Sequence, residues 1–203
     1  MHDGFTAYDQ YGQCRHSLCN AHILRELNYV IETSKASWAQ EMKQLLLDIK
    51  AAVSQASGSG KTRLAVRQKV EFLVRYDRIV SEAGKLYEPL RRKKRGARTR
   101  RPKESPIVAA ARKLVNRLVA KRDEILLFMI DFRVPFDNNQ AERDLRMLKI
   151  KQKVSGCFRT ETGADEFCRM RSYVSTIKKQ GHSVMDTIKS VYAGKILMPA
   201  LRC

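Results

Sequence analysis

Apolar residues recur at helical spacing through most of the chain. In "NAHILRELNYVIE", residues 20–32, Ile23, Leu27, Val30 and Ile31 fall on one side, which predicts a helix. A second helix is predicted from about Ser37 to Ser54. Ser37 is its expected cap, and Trp38, Met42, Leu45, Leu46, Ile49 and Val53 form its stripe. "SGSG", residues 57–60, reads as a flexible break. A third helix is expected over about Thr62–Leu86, with Leu64, Phe72, Leu73, Tyr76, Ile79 and Val80 inward. Ser105-Pro106 marks the start of one long helix that carries Ile107, Ala111, Leu114, Val115, Leu118, Ile125 and Leu126 and ends near "DFRVPFDNN", residues 131–139. Three more helices follow. One runs from Asn138 or Asn139 to about Val154, one from Glu161 to Gly181, and one from cap Ser183 to stop Gly194. Their apolar residues, Tyr173, Val174, Ile177, Val184, Met185, Ile188 and Val191, read most simply as core. The best strand candidate is the short "CRHSLC", Cys14 to Cys19. The pattern predicts a mostly α fold of about seven helices with one or two strands and no repeats.

Charge changes what such a fold is expected to meet. Forty Lys and Arg face 21 Asp and Glu, for a net charge of +19 and a pI near 10.0. That balance favours a polyanion, held through phosphate contacts. An acidic membrane surface is the rival, but no apolar run approaches the roughly 20 residues of a spanning helix, and "MHDGFTAYDQYG" has no apolar signal region. Five cysteines, with no C-x-x-C, predict reduced thiols in a cytoplasmic protein. In "RRKKRGARTRRPK", residues 91–103, nine of thirteen residues are basic. The stretch reads either as a solvated loop or as a nucleic-acid contact loop made by Arg91, Arg92, Lys93, Lys94, Arg95, Arg98, Arg100 and Arg101.

Three constellations could carry chemistry. Asn139-Gln140-Ala141-Glu142 fits a capping box, in which Glu142 reaches back along the helix it opens. The same helix carries Arg143, Arg146, Lys149 and Lys153, and Arg146 and Lys149 share the face of Glu142. A carboxylate beside cations that can grip phosphate also suits metal-assisted phosphoryl chemistry, and the two roles are compatible. Asp3, in "HDGF", is the second acid, either a rigidly held metal ligand or the aspartate of a "DG" turn. Finally, Cys14, His16, Cys19 and His22 lie within nine residues, but their spacing departs from the usual zinc patterns, so buried thiols beside a turn into a helix are the simpler reading.

Three stretches, "DGFTAYDQY", "LCNAHILREL" and the segment from "VPFDNNQAERDLRMLKIKQK" to "RMRSYVSTIKKQG", resemble the C-terminal half of bacterial transposases of the insertion sequence 66 family. The likeness spans essentially the whole chain and is densest from Val134 to Gly194. It implies a DDE-type enzyme with a ribonuclease H-like core, truncated here to one or two strands, a large all-helical insertion and C-terminal helices. By that resemblance Asp3 matches the second acid and Glu142 the third, both as catalytic metal ligands, while Cys19 and His22 match a C-x-x-H signature that supports the site. Residues 1–165 would be the partial core, with the insertion at about 23–135, and residues 166–203 a C-terminal helical module. The implied cofactor is Mg²⁺, two ions in the complete enzyme. The implied partner is double-stranded DNA, both element ends and target, bound in the bacterial cytoplasm at the nucleoid, with homo-oligomers and no membrane. Only Met1 and His2 precede Asp3, so no residue here fills the role of the first aspartate. An upstream portion is therefore expected to be missing, and the chain by itself is expected to be inactive. A different reading keeps the basic character alone, as a non-catalytic DNA-binding protein or a regulatory remnant of a transposase.

Overall fold

The computed structural model describes residues 1–87 and 105–198, so the basic run 91–103 lies outside the described residues. After a short 3-10 turn, Thr6–Gln10, come α1 (Asn20–Ser34), α2 (Ser37–Gly58), α3 (Val66–Tyr87), α4 (Pro106–Ala120), α5 (Arg122–Ile130), α6 (Asn139–Ser155), α7 (Glu161–Lys179) and α8 (Val184–Tyr192). They form two compact units, Met1–Asn138 and Asn139–Cys203.

In the first unit α1 to α4 pack in a ring, each on the next and α4 back on α1. The predicted stripes fill its centre: Ile23, Leu27 and Val30 from α1; Trp38, Met42, Leu45, Leu46 and Ile49 from α2; Phe72, Tyr76 and Ile79 from α3; Leu114, Val115 and Leu118 from α4. Leu64 is buried too, but it precedes α3, which starts at Val66 rather than Thr62. Leu73 and Val80 are only partly buried. Tyr76 is buried and satisfies its hydroxyl by donating to the Leu118 carbonyl at 2.9 Å, while burial pushes its pKa up.

Helix α2 does not stop at Ser54. It runs through Ser57 and Gly58, and the turn comes at Gly60, where φ is +73° and Lys61 N–H closes back on the Ala56 carbonyl at 3.0 Å. A glycine in this left-handed position is a strong helix stop, so the break belongs to the second glycine of the pair. Ser37 is the first residue of the helix rather than its cap; Ala36 holds the cap position.

The predicted long helix is two. Lys121, with φ −114° and ψ 26°, separates α4 from α5. Ile125, Leu126, Leu127, Phe128 and Met129 are all buried. Five consecutive apolar residues cannot all face one side of a helix that continues along α4, so the chain turns and sinks α5 into the core. Asp9 and Glu124 both accept from Lys121 Nζ, at 2.8 and 2.9 Å, and Arg122 grips Asp77 with two nitrogens, at 2.7 and 2.8 Å.

The expected strand at Cys14–Cys19 shrinks to one parallel bridge between His2 and Leu18, the only β pairing among the described residues. A parallel pair gains little without further strands beside it, and no other described segment extends this one.

In the second unit α7 packs on both α6 and α8. Thr160 caps α7 by accepting the Gly163 N–H at 3.0 Å, and Ser183 caps α8 by accepting the Asp186 N–H at 3.3 Å. Gly181 follows α7 with φ +82°, and Gly194 ends α8 as expected. Of the tail residues read as core, Ile177 is fully buried, whereas Met185 is 63% exposed and Ile188 and Val191 also face solvent. No described helix is long and apolar enough to cross a membrane.

Candidate functional site

Asp3 occupies an exposed turn. Its Oδ1 accepts the Phe5 N–H at 3.0 Å, and Gly4 takes φ +89°. The "DG" pair thus makes the side-chain-closed turn that its sequence allows. Behind it the His2 ring is buried. Its Nδ1 accepts the Gly4 N–H at 3.2 Å, which leaves the ring proton of a neutral His2 on Nε2, 3.2 Å from His16 Nδ1. His16 Nε2 then donates to the Tyr11 carbonyl at 2.9 Å. Burial, and next the neighbouring His16, lower the His2 pKa. A proton added to this pair would therefore disrupt the donor order that backs the Asp3 turn.

The backbone bridge runs on to Cys19: His2 N–H donates to Ser17 O at 3.0 Å, and Cys19 N–H to His2 O at 2.9 Å. Cys19 stands at the N-cap of α1, buried, and its Sγ accepts the Asn138 N–H at 3.2 Å. Asn20 clamps the same seam. Its N–H donates to Phe136 O at 3.1 Å, and its Nδ2 donates to Ile125 O at 3.1 Å. Leu18 N–H adds a bond to Glu124 O at 3.1 Å. The "LCN" triplet therefore ties the first helix to α5 and to the strap 134–138 that precedes α6. One turn into α1, a His22 ring nitrogen lies within 4.8 Å of Cys19 Sγ. Cys14 and His16 keep apart from them. Cys14 is exposed and its Sγ lies 3.8 Å from His16 Nε2, so among the described residues the four do not gather as one ligand set.

In the second unit Glu142 lies half-buried in the first turn of α6. The helix starts at Asn139 itself, so Asn139 holds the first helical position rather than the flanking one. A carboxylate there is favoured by the helix dipole. Arg143, Arg146, Lys149 and Lys153 are exposed along the same helix, and Arg143 Nε donates to Asn139 O at 3.3 Å. Glu142, Arg146, Lys149 and Lys153 recur every three or four residues and share one face.

Asp144 escaped the sequence reading. Its Oδ2 accepts from Lys179 Nζ at 2.6 Å, and its Oδ1 from Ser175 Oγ at 2.7 Å and Gln140 Nε2 at 3.2 Å, which fastens α7 to α6. Lys179 and then Ser175 hold the carboxyl below its ordinary value of 3.8. A depressed pKa adds stability above the unfolded value and loses it as pH falls through the folded one. Asp144→Asn is therefore expected to lower the melting point near neutral pH, with the effect shrinking as pH falls through the lowered carboxyl pKa, as followed by circular dichroism across acid pH. Equal losses at both ends would refute this role. Lys179 stands 35 positions from Asp144, too far for any helical spacing to announce the pair.

A family model for "Transposase IS66 family" matches residues 1–166. Among curated proteins and among solved structures no match is found. The family match takes in the Asp3 turn, the Cys19–His22 pair and all of α6, and it covers most of the 203 residues. The chain therefore belongs to the IS66 family of transposases.

Proposed function

We propose that the chain contributes to DNA transposition, as part of an enzyme that cuts and rejoins phosphodiester backbones. What supports this is the family match over residues 1–166, together with the acid and base content of α6 within it. Residues 1 to about 165 are read as part of a ribonuclease H-like core whose helical insertion runs from about 23 to 135, with 166–203 a C-terminal module.

Asp3 and Glu142 are the proposed metal ligands. Both are carboxylates on defined backbone features, a closed turn and a first helical turn, and hard oxygen donors suit Mg²⁺. When bound, a pair of such ions supplies Lewis-acid stabilisation to the attacking and leaving oxygens of an in-line displacement. The protein side of the reaction falls to the cations. Arg143, Arg146, Lys149 and Lys153 hold the strand by its phosphates, and the run 91–103 steadies flanking duplex without reading sequence. Cys19 and His22 act as supports that fix the strap before α6. Two carboxylates bind Mg²⁺ weakly, so the purified chain alone is expected to show no strand transfer.

Mn²⁺ titration followed by its electron paramagnetic resonance tests the site. Weak binding is expected, and it should fall in both Asp3→Asn and Glu142→Gln. Duplex DNA binding without metal should survive Glu142→Gln. Binding of Mn²⁺ untouched by both changes would remove the metal reading. One observation favours a second reading, a non-catalytic DNA-binding remnant: Asp3 already has a complete local role in closing its turn. That reading expects salt-sensitive DNA binding with no specific Mn²⁺ site.

A further inference from the structure

Within the second unit, α6 and α7 line a groove of about 640 Å³. Arg143 and Arg146 come from α6, and Arg171, Lys178 and Lys179 from α7; Asp144 is the one carboxylate on its wall among the described residues. That carboxylate is committed, since it accepts from Lys179, Ser175 and Gln140. Arg143, Arg146, Arg171 and Lys178 make no salt bridge among the described residues, in contrast to Lys179. Arg171 carries the sharper signal. Its Nε is shielded from solvent yet has no hydrogen-bond acceptor among the described residues. A shielded guanidinium donor left without an acceptor is costly. Like charges facing one another across a groove add repulsion, which a bound anion relieves. Val174 and Met147 give the groove an apolar lining, which strengthens any ion contact made above it.

We propose that this groove is a phosphate-binding channel for the backbone of duplex DNA, with Arg171 and Lys178 of α7 as phosphate ligands beside Arg143 and Arg146. The proposal rests on the transposase reading and extends it to residues beyond the matched span of 1–166. A guanidinium presents paired N–H groups that fit two phosphate oxygens, whereas a lysine acts as a point charge. Contacts of this kind set affinity and register and read no bases. In α7 the pattern Arg171, Val174, Ser175, Lys178 repeats at the spacing of one helix face. It is a face built for an anion where a core-facing helix would carry a continuous apolar stripe.

The test uses the full chain, a fluorescein-labelled duplex of arbitrary sequence, and anisotropy over a salt series. Arg171→Gln with Lys178→Gln should weaken binding at low salt by about tenfold or more, and should lower the slope of log affinity against log salt by about 2. Arg171→Lys should recover part of the loss. The control is Arg63→Gln with Arg67→Gln, two exposed cations of the first unit, expected to leave the slope nearly unchanged. If the double groove variant melts early, Lys178→Gln alone, at an exposed position, should still lower the slope by about 1. Wild-type binding with a groove variant indistinguishable from it overturns the channel and leaves the transposase reading standing. A control that loses as much as the groove variant also overturns it, because bulk charge would then be the cause. Tighter binding to an RNA duplex of equal length overturns it in favour of RNA. A wild-type chain that binds no duplex removes both readings.

Discussion

Phe128→Ala is expected to cost about 3–5 kcal/mol of folding stability. Phe128 is 2% exposed and meets the Phe136 ring edge-on, with centroids 4.9 Å apart and planes at 87°. The loss combines the transfer energy of a phenyl ring with the cavity it leaves, and it removes an aromatic pair contributing about 1 kcal/mol of its own. Against a total stability of about 5–15 kcal/mol for a domain, that is enough to unfold a marginal chain at working temperature. The damage also reaches the strap, because Phe136 O accepts the Asn20 N–H and Asn138 N–H donates to Cys19 Sγ. Urea unfolding should show a lower midpoint with an unchanged slope. Val66→Ala, at a position 74% exposed, should stay within about 0.5 kcal/mol of the parent. If the two variants shift the midpoint equally, Phe128 is not the keystone of this seam.

Exchanging Arg143, Arg146, Lys149 and Lys153 together for glutamine is expected to lower affinity for duplex DNA at low salt by about 10²–10⁴. Each lost phosphate contact removes about 0.9 from the salt slope, so four lost contacts should flatten it by about 3–4. The four side chains are exposed on α6, so the exchange removes charge without opening a cavity, and melting should change little. The effect should not depend on DNA sequence, since phosphate contacts carry none. An unchanged slope would show that α6 does not face the nucleic acid, and would move the electrostatic footprint to other parts of this +19 chain.

Helix content was legible because burial follows a 3.6-residue period, and that period is written in single residues such as Leu27, Leu45 and Tyr76. The stops at Gly181 and Gly194, and the cap at Ser183, were legible for the same local reason. The break at Lys121 was not, because a continuous apolar run looks the same whether the helix goes straight or dives into a core. The strand at Cys14–Cys19 read wrongly because strand formation depends on neighbours far along the chain, and only Leu18 found one.

The amino-acid order by itself determined where most of the helical stretches lie, the basic character, the acids Asp3 and Glu142, and the motifs that carry the family likeness, since each is encoded in neighbouring residues. Tertiary structure decided what those residues touch. It made Cys19 Sγ the acceptor for Asn138, 119 positions away. It spent Asp144 on Lys179 and left the Arg171 Nε buried without an acceptor among the described residues. Such pairings depend on which surfaces the packed helices bring within about 3 Å, the range of a hydrogen bond, and no periodicity along one chain encodes that distance.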